Sequence, residues 1–169
     1  TFLSHINQAL TYYENHKHIF SVHGFSYPVQ YDPKYDKDLF LFPRYNPWGV
    51  GIWADRWKEV SFDESQLDDF LQDQKAMKAF MKLQPGLLPI LEKRMRAADA
   101  MISYHLFKNN LTSVYPIKTH CINIGFDDSG SHCGNDPIYA KQTLPNTFSI
   151  PTCNELKHHP LILRQLSHF

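Results

Sequence analysis

The sequence predicts a small domain of mixed α/β (α+β) class, a short mixed sheet with flanking helices. Three observations predict it. Apolar spacing switches between helical and strand periods, in the order helix, strand, strand, two helices, strand, tail. The 169 residues suffice for one domain with a real core. Aromatic residues make up 14% of the chain, with twelve Phe and nine Tyr, enough rings to fill such a core or to line a ligand surface.

Each element follows from local pattern. Ser4 can cap a helix over residues 4–16 whose Ile6, Ala9, Leu10 and Tyr13 share a face. Residues 19–27 alternate apolar with small or polar side chains, a strand that Pro28 ends. Residues 32–38 are polar and turn-rich, and 39–42 read as a short buried strand. Ser61 and Asp63 offer caps for a helix with Leu67, Phe70, Leu71, Met77, Phe80 and Met81 in one stripe. A second helix starts near Pro89, runs through Ile90, Leu91, Met95, Ala98 and Ile102 to Lys108, and stops at Asn109-Asn110. Residues 112–124 alternate as a strand, with Pro116 marking an edge position or a bend. Beyond a polar glycine-bearing loop at 125–134, residues 135–157 are irregular, with an extended piece near 147–150, and 160–169 close as a final helix. Three or four short strands leave much aromatic surface to cover, so the sheet is expected to be incomplete.

Bulk properties narrow the function. Seventeen basic residues balance seventeen acidic ones, so no global field recruits nucleic acid or an anionic surface. The ten histidines lack a metal-ligand spacing such as His-Glu-x-x-His. Cys121, Cys133 and Cys153 contain no Cys-x-x-Cys pair and are too few for a disulfide framework, which points to reduced thiols and a cytoplasmic protein. No apolar run reaches the ~18 residues of a membrane span, and the first residues lack an export signal. The chain starts inside an amphipathic pattern and without Met, so a longer polypeptide is expected.

Residues 43–57 hold all three tryptophans together with Gly49, Gly51, Arg44, Arg56 and Asp55. Indoles beside glycines suit a pyranose: the ring packs on its C–H face while Arg and Asp bond its hydroxyls. The other reading is an aromatic-rich core turn, with Asp55-Arg56 a charge pair at a helix start. Residues 125–132 offer successive backbone N–H groups and hydroxyls, an anion nest, or simply a surface loop. Asp99 is a lone helical acid, Arg44 a phosphate or hydroxyl contact or a structural arginine, and His23 reads as a core or sheet histidine.

Five blocks carry a resemblance: Phe2-Leu3-x-x-Ile6-Asn7-Gln8-Ala9-Leu10-x-x-Tyr13; Ile19 to Pro28; Pro43-Arg44 through Trp48-Gly49 and Trp53 to Asp55-Arg56-Trp57; Asn110-Leu111-Thr112-Ser113-Val114-Tyr115-Pro116-x-Lys118; and Asn123-Ile124-Gly125-Phe126-Asp127-x-Ser129-Gly130-x-His132-Cys133. In this order they resemble the C-terminal, acceptor-side half of bacterial GT-A-fold, family-2-like glycosyltransferases. The resemblance implies that 1–134 form that half of a nucleotide-diphospho-sugar transferase and 135–169 an irregular tail with a short terminal helix. It implies transfer of a sugar from a nucleotide sugar to a glycan acceptor in polysaccharide biosynthesis, with peripheral membrane association through a lipid-linked acceptor and no nucleic acid partner. The family's nucleotide-binding half, with its acidic motif for Mn or Mg, has no counterpart in these residues, so a divalent metal is expected only with that half. Carried onto this chain, the candidate catalytic carboxylates are Asp99 and Asp55, the substrate contacts Arg44, Trp48, Gly49, Trp53, Arg56, Ser129 and Gly130, and the metal or pyrophosphate ligand His132. Asp99 stands where the family has Asp-Ser-Trp followed by Ala-Ile-Arg-Trp, and only the Asp is kept. The competing expectation is a non-catalytic carbohydrate-binding module or an inactive fragment.

Overall fold

The computed structural model describes residues 2–29, 35–126, 129, 136–145 and 156–166. In chain order its elements are α1 (Phe2–Tyr13), β1 (Ile19–His23), β2 (Leu39–Phe42), β3 (Val50–Ile52), α2 (Ala54–Trp57), a 3-10 turn (Glu64–Leu67), α3 (Asp68–Gln72), α4 (Gln74–Leu83), α5 (Leu88–Glu92), α6 (Ala98–Lys108), β4 (Thr112–Pro116), a second 3-10 turn (Ile124–Phe126), α7 (Pro137–Ala140) and α8 (Pro160–Leu166). Among the described residues the strands form one sheet in the order β2-β4-β1-β3. The central pair β1 and β4 runs parallel, and both edge strands are antiparallel to their neighbours. Every residue of β1 and β4 is buried, as central strands covered on both faces require.

Strand alternation sorts the side chains onto two faces. Val22, Leu39, Leu41 and Val114 meet Ile6, Ala9 and Tyr13 of α1. Phe40, Phe42 and Tyr115 point the other way, into a cluster with Phe25, Tyr27 and two residues of α8, Ile162 and Leu166. On that second face Phe20 meets Ile102 and Leu106 of α6. The opposite side of α6 closes a third layer with α3 to α5, where Phe70, Phe80, Leu91, Met101 and Tyr104 pack together. The tail thus contributes to the second-face core through α8, the helix expected near its end.

Several elements differ from their sequence expectation, each for a tertiary reason. The first helix ends at Tyr13 rather than 16, because His16 N–H turns back to the Tyr13 carbonyl at 2.9 Å. The strand expected over 19–27 stops at His23. There Gly24 donates to the Gly49 carbonyl and its own carbonyl accepts from His120 N–H, so the backbone leaves the ladder. The single helix expected from 61 breaks at Asp73, whose extended backbone lets its carboxylate cap Lys75 and Ala76 of α4. Met81 of the expected stripe is left 48% exposed. The helix expected from Pro89 to Lys108 is interrupted at Arg94, a non-glycine residue at φ +48. The strand expected over 112–124 ends at Pro116, and it is central rather than at an edge. The fourth strand, β3, comes from the tryptophan segment, where Gly51 leaves room for α1: a Cβ there would sit 2.7 Å from Ile6. The extended piece expected near 147–150 lies outside the described residues.

Arg56 ties these layers together. Its guanidinium donates to the carbonyls of Ile19, Tyr13 (3.2 Å) and Glu14 (2.5 Å), the last two at the C-terminal end of α1, where the Tyr13 carbonyl also accepts from His16 N–H. The same guanidinium lies 3.4 Å over the Trp53 ring, whose Nε1 donates to the Leu10 carbonyl. Lysine, with one nitrogen, cannot reach three carbonyls from a plane stacked on an indole. Arg56→Ala is therefore expected to lower the unfolding free energy by roughly 3 kcal/mol or more, and Arg56→Lys by somewhat less, in urea titrations. A loss below ~1 kcal/mol for Arg56→Ala would contradict the clamp.

Two buried histidines set a pH dependence. Burial pushes His23 down to about 3. Burial first, then the charge of His120, pushes His5 down to about 4, against an ordinary value of 6.5. Both stay neutral in the fold yet protonate in the unfolded chain, so below about pH 6.5 the unfolded state binds more protons. This contribution is fully present above about pH 6.5 and falls as pH drops toward 4, by at most about 1.4 kcal/mol per pH unit for each histidine. Urea midpoints at pH 7.5, 6 and 5 measure it; a His23→Gln variant as pH-sensitive as the parent chain would remove His23 from the account.

Candidate functional site

Strands β2 and β3 are neighbours in sequence but lie at opposite edges of the sheet, so residues 43–49 must pass β4 and β1 to join them. They do so on the α6 side. The Arg44 carbonyl accepts from the Tyr115 hydroxyl of β4 at 2.9 Å, and the Tyr45 ring lies 6.0 Å from His23 of β1. Ser103 of α6 accepts from Tyr45 N–H at 3.1 Å. Asn46 turns the chain: its Oδ1 accepts from Trp48 N–H at 2.8 Å while its Nδ2 reaches the Tyr27 hydroxyl at 3.5 Å. Gly49, at φ +62, then delivers the backbone into β3.

The crossing encloses a polar cluster of Tyr27, Tyr45, Tyr115, Arg44 and Asp99. The Arg44 guanidinium carbon lies 5.6 Å from the Tyr27 ring centroid. Its Nη1 is buried and has no hydrogen-bond partner, and Arg44 makes no ion pair among the described residues. Asp99, in the first turn of α6, accepts from Ala100 N–H at 3.0 Å and is half-buried. Burial raises the Tyr27 phenol, with the Arg44 charge opposing and the Asp99 charge adding to the rise. Burial and then Asp99 raise Tyr45, and burial carries Tyr115 well above the usual phenol range. A carboxylate and a guanidinium with no ion-pair partner of their own among the described residues thus share a site walled by neutral phenols. Such a site can take a proton at the carboxylate and hold an anion or hydroxyls at the guanidinium.

Of the residues singled out from the sequence, Arg44 and Asp99 both act electrostatically on the Tyr27 phenol. The two indoles do not form one wall. Trp48 is held on the α6 side, edge to face with Phe25, Phe126 and Tyr139 at 4.9, 5.4 and 5.8 Å, whereas Trp53 packs on the α1 side under Arg56. Arg56 is committed to three carbonyls. The space beside Gly49 is filled by Cys121 Sγ and the Phe2 ring. Asp55 is exposed and paired with Lys17 at 3.1 Å, and that lysine lowers its carboxyl. Ser129 is exposed, while Gly130 and His132 lie outside the described residues.

Sequence reading missed Tyr27, Tyr45, Asn46, Ser103 and Tyr115. The available signal was chemical: a pure core needs Phe at these sites, and a buried phenol demands a partner. His23 stacks on Tyr115 at 4.1 Å with its Nε2 at 2.9 Å from Ser21 Oγ, a buried structural arrangement. Burial pushes the Cys121 thiol up to about 11, away from the reactive range. No cluster of three or more His, Cys, Asp or Glu able to hold a metal occurs among the described residues, and no helix among them is long and apolar enough to cross a membrane. Comparisons with known protein families, with characterised proteins and with solved structures find no match to this chain.

Proposed function

We propose that the chain is the acceptor-side part of a GT-A-type sugar transferase, moving a sugar from a nucleotide sugar to a glycan acceptor in polysaccharide biosynthesis, on the cytoplasmic side of a membrane that carries a lipid-linked acceptor. The observation that carries the reading is that the Tyr27 phenol feels the charges of both Arg44 and Asp99, residues 55 positions apart in the chain (99 − 44), with the Arg44 guanidinium carbon 5.6 Å from its ring centroid. In this reading Asp99 accepts the proton of the acceptor hydroxyl as that oxygen bonds the anomeric carbon. The bond from that carbon to the nucleoside diphosphate oxygen breaks, and the Arg44 guanidinium meets the negative charge that collects on the departing phosphate. The phenols exclude water and keep both charges effective. The divalent metal implied by the resemblance has no described ligand set, and no step here runs through it.

The test is nucleotide release by the whole polypeptide, assayed with UDP-, GDP- and dTDP-sugars in the presence of Mg²⁺ or Mn²⁺ and an oligosaccharide acceptor. Asp99→Asn, which keeps shape and removes the base, is expected to lower kcat by about 10²–10⁴ with little change in the acceptor KM. Arg44→Gln is expected to lower kcat as well. Undiminished kcat in Asp99→Asn would overturn the catalytic assignment. Glycan binding by a folded protein that releases nucleotide from no donor would replace it with the carbohydrate-binding reading.

A further inference from the structure

The groove beside the start of α6 carries features the proposed chemistry does not use. A cavity of about 510 Å³ opens between the 3-10 turn Glu64–Leu67 and the first turn of α6, lined by Phe62, Asp63, Glu64 and Arg96 with Ala97, Ala98 and Met101. Its size falls within the usual range of small-molecule sites. Phe62, which lines the cavity, lies 6.0 Å from Trp57, and the two rings are 48% and 43% exposed. Arg96 is exposed and makes no ion pair among the described residues.

The rims are held in place by strain and charge. Arg94 adopts φ +48, a conformation that side chains disfavour, in the linker between α5 and α6. Its guanidinium donates to the Glu64 carbonyl at 2.9 Å and to the Asp68 carboxylate, tying the linker to the 3-10 turn. Beside the floor, the cap position of α6 is Ala97, which supplies no capping side chain. Asp63 Oδ1 accepts from Ser65 N–H, and the exposed Asp63 and the Glu64 carboxylate, with the Arg96 guanidinium, are the ionised side chains lining the cavity.

We infer that this groove binds a pyranose unit of the acceptor glycan, distal to the hydroxyl that receives the sugar. A half-exposed ring, Phe62, beside the Asp63 and Glu64 carboxylates and the Arg96 guanidinium matches a pyranose, which offers a C–H face to a ring and hydroxyls to ionised groups. The groove lies at the same end of α6 as the proposed site: Ala97 and Ala98 line it, and Asp99 follows them in the first turn of the helix. The word acceptor rests on the transferase reading; the sugar-binding groove stands on its own geometry.

The experiment screens the whole polypeptide on an array of hexose and N-acetylhexosamine oligosaccharides of increasing length, then titrates hits by calorimetry and by Trp57 fluorescence. Phe62→Ala and Arg96→Ala are expected to weaken binding about tenfold each, and Lys37→Ala, at an exposed residue outside the groove, to leave it within about twofold. Both tested side chains are largely exposed, and matched thermal melts establish that the variants fold. In the transfer assay the same two variants are expected to raise the acceptor KM with kcat held. No hit on the array, or hits indifferent to both variants, overturns the groove whether or not transfer occurs. Groove-dependent binding in a protein that transfers nothing keeps the groove and rejects the transferase reading alone.

Discussion

The placement of β2 and β3 at opposite edges of the sheet forces everything else about the site. A connection that must pass two central strands has to lie over them, and any chain lying over a sheet must satisfy its own backbone polar groups there. Tyr115 and Ser103 supply those partners, one from β4 and one from α6. The side chains of the crossing are thereby trapped between sheet and helix. That is how Arg44 comes to be held in a largely aromatic layer, where the Tyr27 phenol feels its charge and that of Asp99 at the start of α6.

The α1 side of the molecule solves a different problem with similar parts. There Arg56 spends its charge on the loose end of a helix and the first carbonyl of β1, and Trp53 serves as the plate on which the guanidinium rests. Two arginines twelve positions apart (56 − 44) thus have opposite fates. One donates to three carbonyls through its two terminal nitrogens and acts as a structural clamp, while the other makes no ion pair among the described residues; each keeps one buried nitrogen without a hydrogen-bond partner, Nε in Arg56 and Nη1 in Arg44. An unsatisfied buried donor is costly, which is why such a group attracts a functional reading.

How much of this was legible in the sequence depends on the range of the interaction concerned. The apolar faces of α1 and α6, the buried strand at 39–42, and the helix stop at Asn109-Asn110 all follow from spacing within a few residues, and the fold carries each of them. Asp99 and Arg44 were legible as residues of interest, but their common action on the Tyr27 phenol was not. Nothing local couples a loop after β2 to a helix more than fifty positions later. Strand β3 was hidden because three residues are too few to display a period, and its Gly-rich sequence looked like a ligand loop.

By itself the sequence determined the mixed class, the neutral surface, the concentration of aromatic residues, and which segments had a face to bury, because these depend on composition and on period. Tertiary structure alone decided the parallel pairing of β1 with β4, the break at Arg94, the sorting of Trp48 and Trp53 onto opposite faces, and the placing of Arg44 over the Tyr27 ring. Those outcomes come from pairings between segments up to ninety-odd positions apart, as in the Ser21 to Ser113 contact across the central ladder. Periodicity records which side of an element is apolar. It does not record which other element will cover it, and the site lies where that choice was made.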